Sequence, residues 1–176
     1  MQKKLFIIFF LVLLLFAGCK KNPQLPSNKA QEFDIQALQL IELNKLLHEI
    51  EIEEIQEFVA EQEINFRQDS LGSWVGIIKK GNNTTIKKGT SVEIFYSIEL
   101  LDGKLCYDYS TKPKIVKVGK REVENGFDNI LLNLSEGVEA VAVVPSHLAY
   151  GLMGDKNKIP SRATLVYRIK NIRIKS

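Results

Sequence analysis

The chain has few residues able to do covalent chemistry. Of its 176 residues two are histidine and two are cysteine. His48 falls in an acidic helical stretch and His147 on a loop, with no metal-ligand spacing between them, so no metal set is expected. Gly151-Leu152-Met153-Gly154 follows no strand pattern and lacks the lysine of a phosphate loop, so no nucleotide cofactor is expected either. What remains is aromatic and apolar. Between Val144 and Ile172 the chain carries Ala149-Tyr150-Gly151, then Ile159-Pro160, then Ala163-Thr164-Leu165-Val166-Tyr167. That order describes a tyrosine, a flap-like loop and a return strand bearing a second aromatic. It suits a shallow aromatic pocket better than a polar catalytic cleft.

These ordered elements resemble the carboxy-terminal half of the FKBP-type peptidyl-prolyl cis–trans isomerases, and the resemblance runs from about Leu71 to the end. It implies an α+β fold, an antiparallel sheet wrapped on one short helix, and a pocket whose parts can be placed residue by residue. Tyr96, in Val92-Glu93-Ile94-Phe95-Tyr96, matches the family's pocket-wall tyrosine, and Val123 matches a wall valine. Glu124 stands where the backbone N–H meets the substrate carbonyl. Phe127 stands where the family often has a tryptophan floor. Tyr150 matches the tyrosine whose hydroxyl reaches the substrate, Ile159 the flap isoleucine and Tyr167 the deep aromatic. The implied reaction is rotation about an X–Pro amide, whose barrier of about 18–20 kcal/mol reflects lost resonance. Proline peptides populate both isomers, so only the barrier needs lowering. A dry pocket favours the twisted amide, with its less polarised carbonyl, over the hydrated planar one. Neither a nucleophile nor a metal is required.

Three departures from the family pattern stand out. Its Phe-Asp pair after the Asp-Gly turn appears here as Leu105-Cys106-Tyr107-Asp108. With one extra residue Tyr107 and Asp108 form the pair; without it Cys106 and Tyr107 do. The insertion is preferred because it keeps aromatic-then-acid chemistry. Glu124 replaces an apolar side chain and makes the pocket rim more polar. Phe127 makes a smaller floor than indole. These changes also motivate an alternative function, a proline-binding chaperone or assembly lipoprotein without useful turnover.

The elements that must position these residues are legible from the hydrophobic period. From Phe33 to Phe66 apolar residues recur mainly at helical intervals, interrupted by the alternation Glu49-Ile50-Glu51-Ile52-Glu53, which predicts two helices over 33–47 and 52–63. This 31–66 arm reads either as a surface for homodimerisation or as a cover for the isomerase body at 67–176. Short strands are predicted at 73–79, 91–101, 114–118, 138–144 and 163–174, with a helix at 126–134 closed by Gly137. In the last strand Leu165, Tyr167 and Ile169 share a face, whereas Ile172 and Ile174 fall on the other phase, so a bulge is expected near Lys170–Asn171.

The amino terminus bears on location. Lys3 and Lys4 precede an apolar run, Leu5 to Ala17, too short to span a bilayer comfortably. Phe16-Ala17-Gly18-Cys19 resembles a bacterial lipoprotein cleavage box, so residues 1–18 are expected to be a signal peptide. Cys19 is then the lipidation site, and residues 19–30 a flexible tether. Stable anchoring needs more than one acyl chain. The net charge of +3 falls to about +1 without Lys3 and Lys4, which makes no case for nucleic acid. Residues 31–70 hold eleven acids and two bases, against ten acids and seventeen bases in 71–176, an asymmetry read as two solvated faces. Cys106 then has no cysteine left to pair with and is expected to be buried as a small apolar residue.

The lipidation box, the acidic arm and the Leu105–Ser110 loop together resemble the gliding-motility-associated lipoprotein isomerases, the GldI type. Asp69-Ser70-Leu71 is similar to a short O-glycosylation motif of such bacteria, and reads equally as a turn. Lys20-Lys21-Asn22 after Cys19 gives no acidic export signal, so a periplasm-facing protein of the bacterial cell envelope is expected, held to the membrane through Cys19. Its partners would be proline-containing exported polypeptides.

Overall fold

In the computed structural model residues 28–175 are described, with side chains from Asp34 onward. The expected signal peptide, Cys19 and most of the expected tether lie outside the described residues. Among the described residues no helix is long and apolar enough to cross a membrane. The chain divides into two compact units, Met1–Asn44 and Lys45–Ser176.

A single helix, α1, runs Asn28–Ala60 across both units, where two helices were expected. The Glu-Ile alternation at 49–53 contains no breaker, and glutamate propagates a helix well. Its cost is exposure instead: Ile50 and Ile52 fall on different sides of the helix and both stay in solvent. In the first unit Ile35, Leu38, Leu40, Ile41 and Leu43 are likewise exposed.

The second unit is an α+β body. Its strands are β1 (Phe66–Gln68), β2 (Trp74–Lys79), β3 (Ser91–Leu100), β4 (Leu105–Asp108), β5 (Lys114–Lys117), β6 (Glu139–Val144) and β7 (Leu165–Ile174), with a short helix α2 at Asn125–Leu131. They form one antiparallel sheet in the order β1-β2-β6-β7-β3-β4, with β5 also pairing on β3. β1 and β4, four residues or fewer, carry too little pattern to be read as strands from sequence. Pairing of β3 with β7 shifts between Phe95–Asn171 and Tyr96–Ile169, so Lys170 is the extra residue. The bulge therefore stands where the change of phase demands one, and it returns Ile172 to the core.

Both faces of the sheet are covered. On one face Val92, Ile94, Tyr96 and Ile98 of β3 alternate inward and join Ala140, Ala142 and Val144 of β6, Leu165, Tyr167 and Ile169 of β7, and Phe127, Ile130 and Leu131 of α2. On the other face Val141, Val143 and Val166 pack with Ile55, backed by Phe58 and Val59 from the end of α1. This explains why β6 reads as an unbroken apolar run: a strand buried on both faces has no polar phase. α2 ends at Leu131, well short of Gly137, because Leu132–Asn133 turn to bring Leu134 into the core. Gly126 lets α2 settle against β6, since a Cβ there would lie 2.5 Å from a Val144 methyl and 3.0 Å from Leu148.

Candidate active site

The interior side of β3, the start of α2 and the middle of β7 bring three aromatic rings together. Tyr96, Phe127 and Tyr167 are all buried. Phe127 stacks on Tyr167 with centroids 4.1 Å apart and planes 13° from parallel. Tyr96 stands 5.2 Å from Phe127 and 6.1 Å from Tyr167. Val123 and Ile159 are buried in the same cluster, and half-buried Tyr150 packs against it. Tyr109, immediately after β4, lies 5.0 Å from Tyr96 and 6.4 Å from Tyr107. Sequence reading did not single it out, because it lies past the Asp-Gly turn at a position no period marks.

Two carboxylates shape the loops around this box. Buried Asp128 accepts the N–H groups of Gly119 at 2.7 Å and Arg121 at 3.1 Å. It thereby fixes the turn that delivers Val123 and Glu124, with Arg121 at a positive φ of 58°. On the flap, Asp155 accepts the N–H groups of Ile159 at 2.8 Å and Asn157 at 2.9 Å, and the hydroxyl of Tyr107. Burial works to raise the Asp155 pKa, but these donors prevail and hold it below the usual carboxylate range. Gly154 is required here: its φ is +60°, and a Cβ would lie 2.2 Å from the carbonyl oxygen of Ile159.

Glu124 departs furthest from expectation. Its side chain does not merely polarise the rim; its carboxylate accepts the hydroxyl of buried Tyr167 at 3.0 Å. Burial first, then the Glu124 charge and this hydrogen bond, push Tyr167 well above the ordinary tyrosine pKa. Tyr150 is raised by burial and then by Glu124 as acceptor and as charge; Tyr96 is raised by burial, then by Glu124 and Tyr109. The carboxylate thus hydrogen-bonds Tyr167 and contributes to raising all three tyrosines. The backbone N–H of Glu124 meets no acceptor among the described residues, while its carbonyl accepts Asp128 N–H at 2.8 Å to open α2.

The Leu105–Asp108 segment resolves differently from either alignment alone. Ile98 pairs with Tyr107 and Glu99 with Leu105, so Cys106 is the extra residue of a bulge. Its side chain is buried in the core as expected, with Sγ 3.6 Å from the Lys158 carbonyl oxygen. Tyr107 turns to the flap and Asp155. Asp108, which the sequence suggested as its acidic partner, lies outside the aromatic cluster. It is exposed, and its carboxylate closes a turn on the N–H of Ser110 at 2.8 Å, because it follows Tyr107 on the opposite phase of β4. Asp155 is the acid that Tyr107 meets. Asp69 likewise closes a turn, accepting the N–H groups of Leu71 and Ser73 at 2.9 Å, with Ser70 exposed at its tip. Outside the aromatic box, the described residues bring one group of metal-type ligands together: His48, Glu51 and His147.

Sheet, helix and aromatic box define an α+β domain whose core carries a buried aromatic cluster. The family model described as FKBP-type peptidyl-prolyl cis-trans isomerase matches residues 82–172, and the chain belongs to that family. It is 34% identical over 105 residues to the peptidyl-prolyl cis-trans isomerase FKBP2 of Mus musculus, covering 57% of this chain and 74% of the relative. It is 38% identical over 99 residues to FK506-binding protein 4 of Chaetomium thermophilum, a match covering 55% of this chain but only 20% of that longer protein. Among solved structures, the peptidyl-prolyl cis-trans isomerase of Pseudomonas syringae aligns with a TM-score of 0.61 at 25% identity, covering 73% of this chain and 96% of the other. FkpA of Escherichia coli shares the fold at a TM-score of 0.64 and 24% identity, covering 98% of this chain and 82% of that one.

Proposed function

We propose that the protein is a peptidyl-prolyl cis–trans isomerase acting on X–Pro bonds of exported polypeptides in the bacterial cell envelope. The observation that carries this reading is the buried Tyr96–Phe127–Tyr167 box, edged by Val123, Ile159 and Tyr150. Such a box takes the pyrrolidine ring by apolar contact and excludes water from the twisting amide. The unpartnered N–H of Glu124 is positioned to hold the neighbouring carbonyl, and the protonated Tyr150 hydroxyl offers a second donor at the mouth. Each 1.36 kcal/mol of preference for the twisted amide is about tenfold in rate, so a small box suffices. Cys19 carries the lipid that tethers the body to the membrane, facing the periplasm, and the subfamily is the gliding-motility-associated GldI type. These last assignments rest on the amino-terminal sequence and the Leu105–Ser110 loop.

The Glu124 carboxylate among the pocket hydroxyls favours a second reading, a module that holds proline segments and turns them over slowly. A protease-coupled assay with a proline tetrapeptide on the full chain in detergent separates the two. Acceleration above the uncatalysed rate, lost in Phe127→Ala, supports the enzyme; background rates with measurable peptide binding support the module. Membrane partitioning and fatty-acid labelling that vanish in Cys19→Ala test the anchor.

A further inference from the structure

We propose that His48, Glu51 and His147 form a binding site for one divalent transition-metal ion of the zinc type, clamping the second half of α1 to the body. The two imidazoles come from positions far apart in sequence, yet their ring centroids lie 5.4 Å apart, edge to face. His48 Nδ1 is 3.8 Å from Glu51 Oε2, one helical turn away. One ligand atom from each of the three residues falls within 4.8 Å of the others. Zinc bonds of about 2.1 Å place neighbouring tetrahedral ligands about 3.4 Å apart, so small rotations of the imidazoles close the set.

What makes this more than a chance meeting is how the carboxylate is held. Glu51 is largely covered, with 12% of its side chain exposed, whereas the His48 side chain is 50% exposed. Glu51 Oε1 accepts the Ser146 N–H at 2.6 Å and the Thr164 hydroxyl at 2.7 Å, and Oε2 accepts the Ser146 hydroxyl at 3.1 Å. Hydrogen-bonded carboxylates of this kind are what orient a metal's ligands. Because Ser146 directly precedes His147, the same bonds fix the backbone bearing the third ligand. Neither imidazole makes a hydrogen bond among the described residues, so their nitrogens are available to a metal. The nearby cation Lys45 is turned to Glu49, at 4.0 Å. Two imidazoles and one carboxylate suit zinc, copper or nickel rather than calcium or magnesium, and leave a fourth position for water.

The test uses the full chain in detergent, stripped with chelator and free of any histidine tag, titrated calorimetrically with zinc chloride. One zinc per chain is expected to bind and to raise the melting temperature. His48→Ala and His147→Ala are each expected to weaken binding by at least about tenfold, since even the loss of an outer-shell partner costs about 10–100-fold. Both histidines are exposed, so the metal-free variants should melt as the wild type does. Hydrogen exchange across residues 45–60 should slow with zinc in the wild type only. Absence of binding to the wild type, or zinc affinity unchanged in both variants, overturns the proposal. Binding without slower exchange in 45–60 overturns the clamp.

Discussion

The Glu124–Tyr167 hydrogen bond offers the sharpest test of how this pocket is built. Tyr167 has none of its surface exposed, so its hydroxyl cannot turn to water if Glu124 is removed. Leaving a buried donor unsatisfied costs about 1–3 kcal/mol, so Glu124→Leu should destabilise the fold by that amount. Tyr167→Phe removes the donor but leaves a half-buried carboxylate that can rehydrate, and should cost about 1 kcal/mol. Replacing both partners by apolar groups removes the reason for either penalty. The double variant should therefore cost no more than about 1 kcal/mol relative to the wild type, a coupling of about 1–4 kcal/mol. Urea denaturation of the four proteins supplies the cycle.

Turnover on a proline tetrapeptide gives a second readout of the same pair. A prolyl ring entering the box approaches a carboxylate that holds the Tyr167 hydroxyl. If half or all of a bond worth about 1–3 kcal/mol is lost on substrate entry, the double variant should gain about 2- to 160-fold in kcat/KM. Stability costs that simply add within about 0.5 kcal/mol would refute the bond. Unchanged turnover with intact coupling would show that the carboxylate stands clear of the substrate's path.

Three further outcomes follow from the geometry. Phe127→Ala should cost about 3–5 kcal/mol, seen in denaturant midpoints, and abolish turnover, because it empties the ring stacked on Tyr167. A chain starting at Leu71 should melt lower than the full protein and bind a hydrophobic dye, because the deletion uncovers Val141, Val143 and Val166 by removing Ile55, Phe58 and Val59. On alkaline titration followed at 295 nm, Tyr96, Tyr150 and Tyr167 should stay protonated past the ordinary tyrosine range, since all three folded-state values are raised. The unfolded chain then loses those protons first, so stability should fall as pH rises above about 10, and ionisation should coincide with unfolding.

The fold and the pocket were not equally legible in the sequence. Periodicity marked the long strands, the short helix and even the bulge at Lys170, because core burial forces a change of phase to be repaired locally. It split α1 in two, because an alternating run mimics a strand where no turn residue stops a helix. β4 needed information that lies across the sheet. Cys106 could not be recognised as a bulge until Ile98 and Glu99 were paired with it, and with the bulge in place Asp108 points away from the aromatic rings. The His48–His147 contact is tertiary, and nothing local announces it.

The glutamate on the rim and the deep aromatic Tyr167 are physically one arrangement. A phenol buried where its hydroxyl has no access to water requires an acceptor, and Glu124 supplies it at 3.0 Å. Conversely, a carboxylate at the mouth of an apolar box loses hydration, and the tyrosine hydroxyls restore donors to it. Either residue without the other would weaken the body; together they make a charge-assisted hydrogen bond. Because the two groups satisfy each other, any loss of activity caused by Glu124 should be recoverable only when Tyr167 is changed with it.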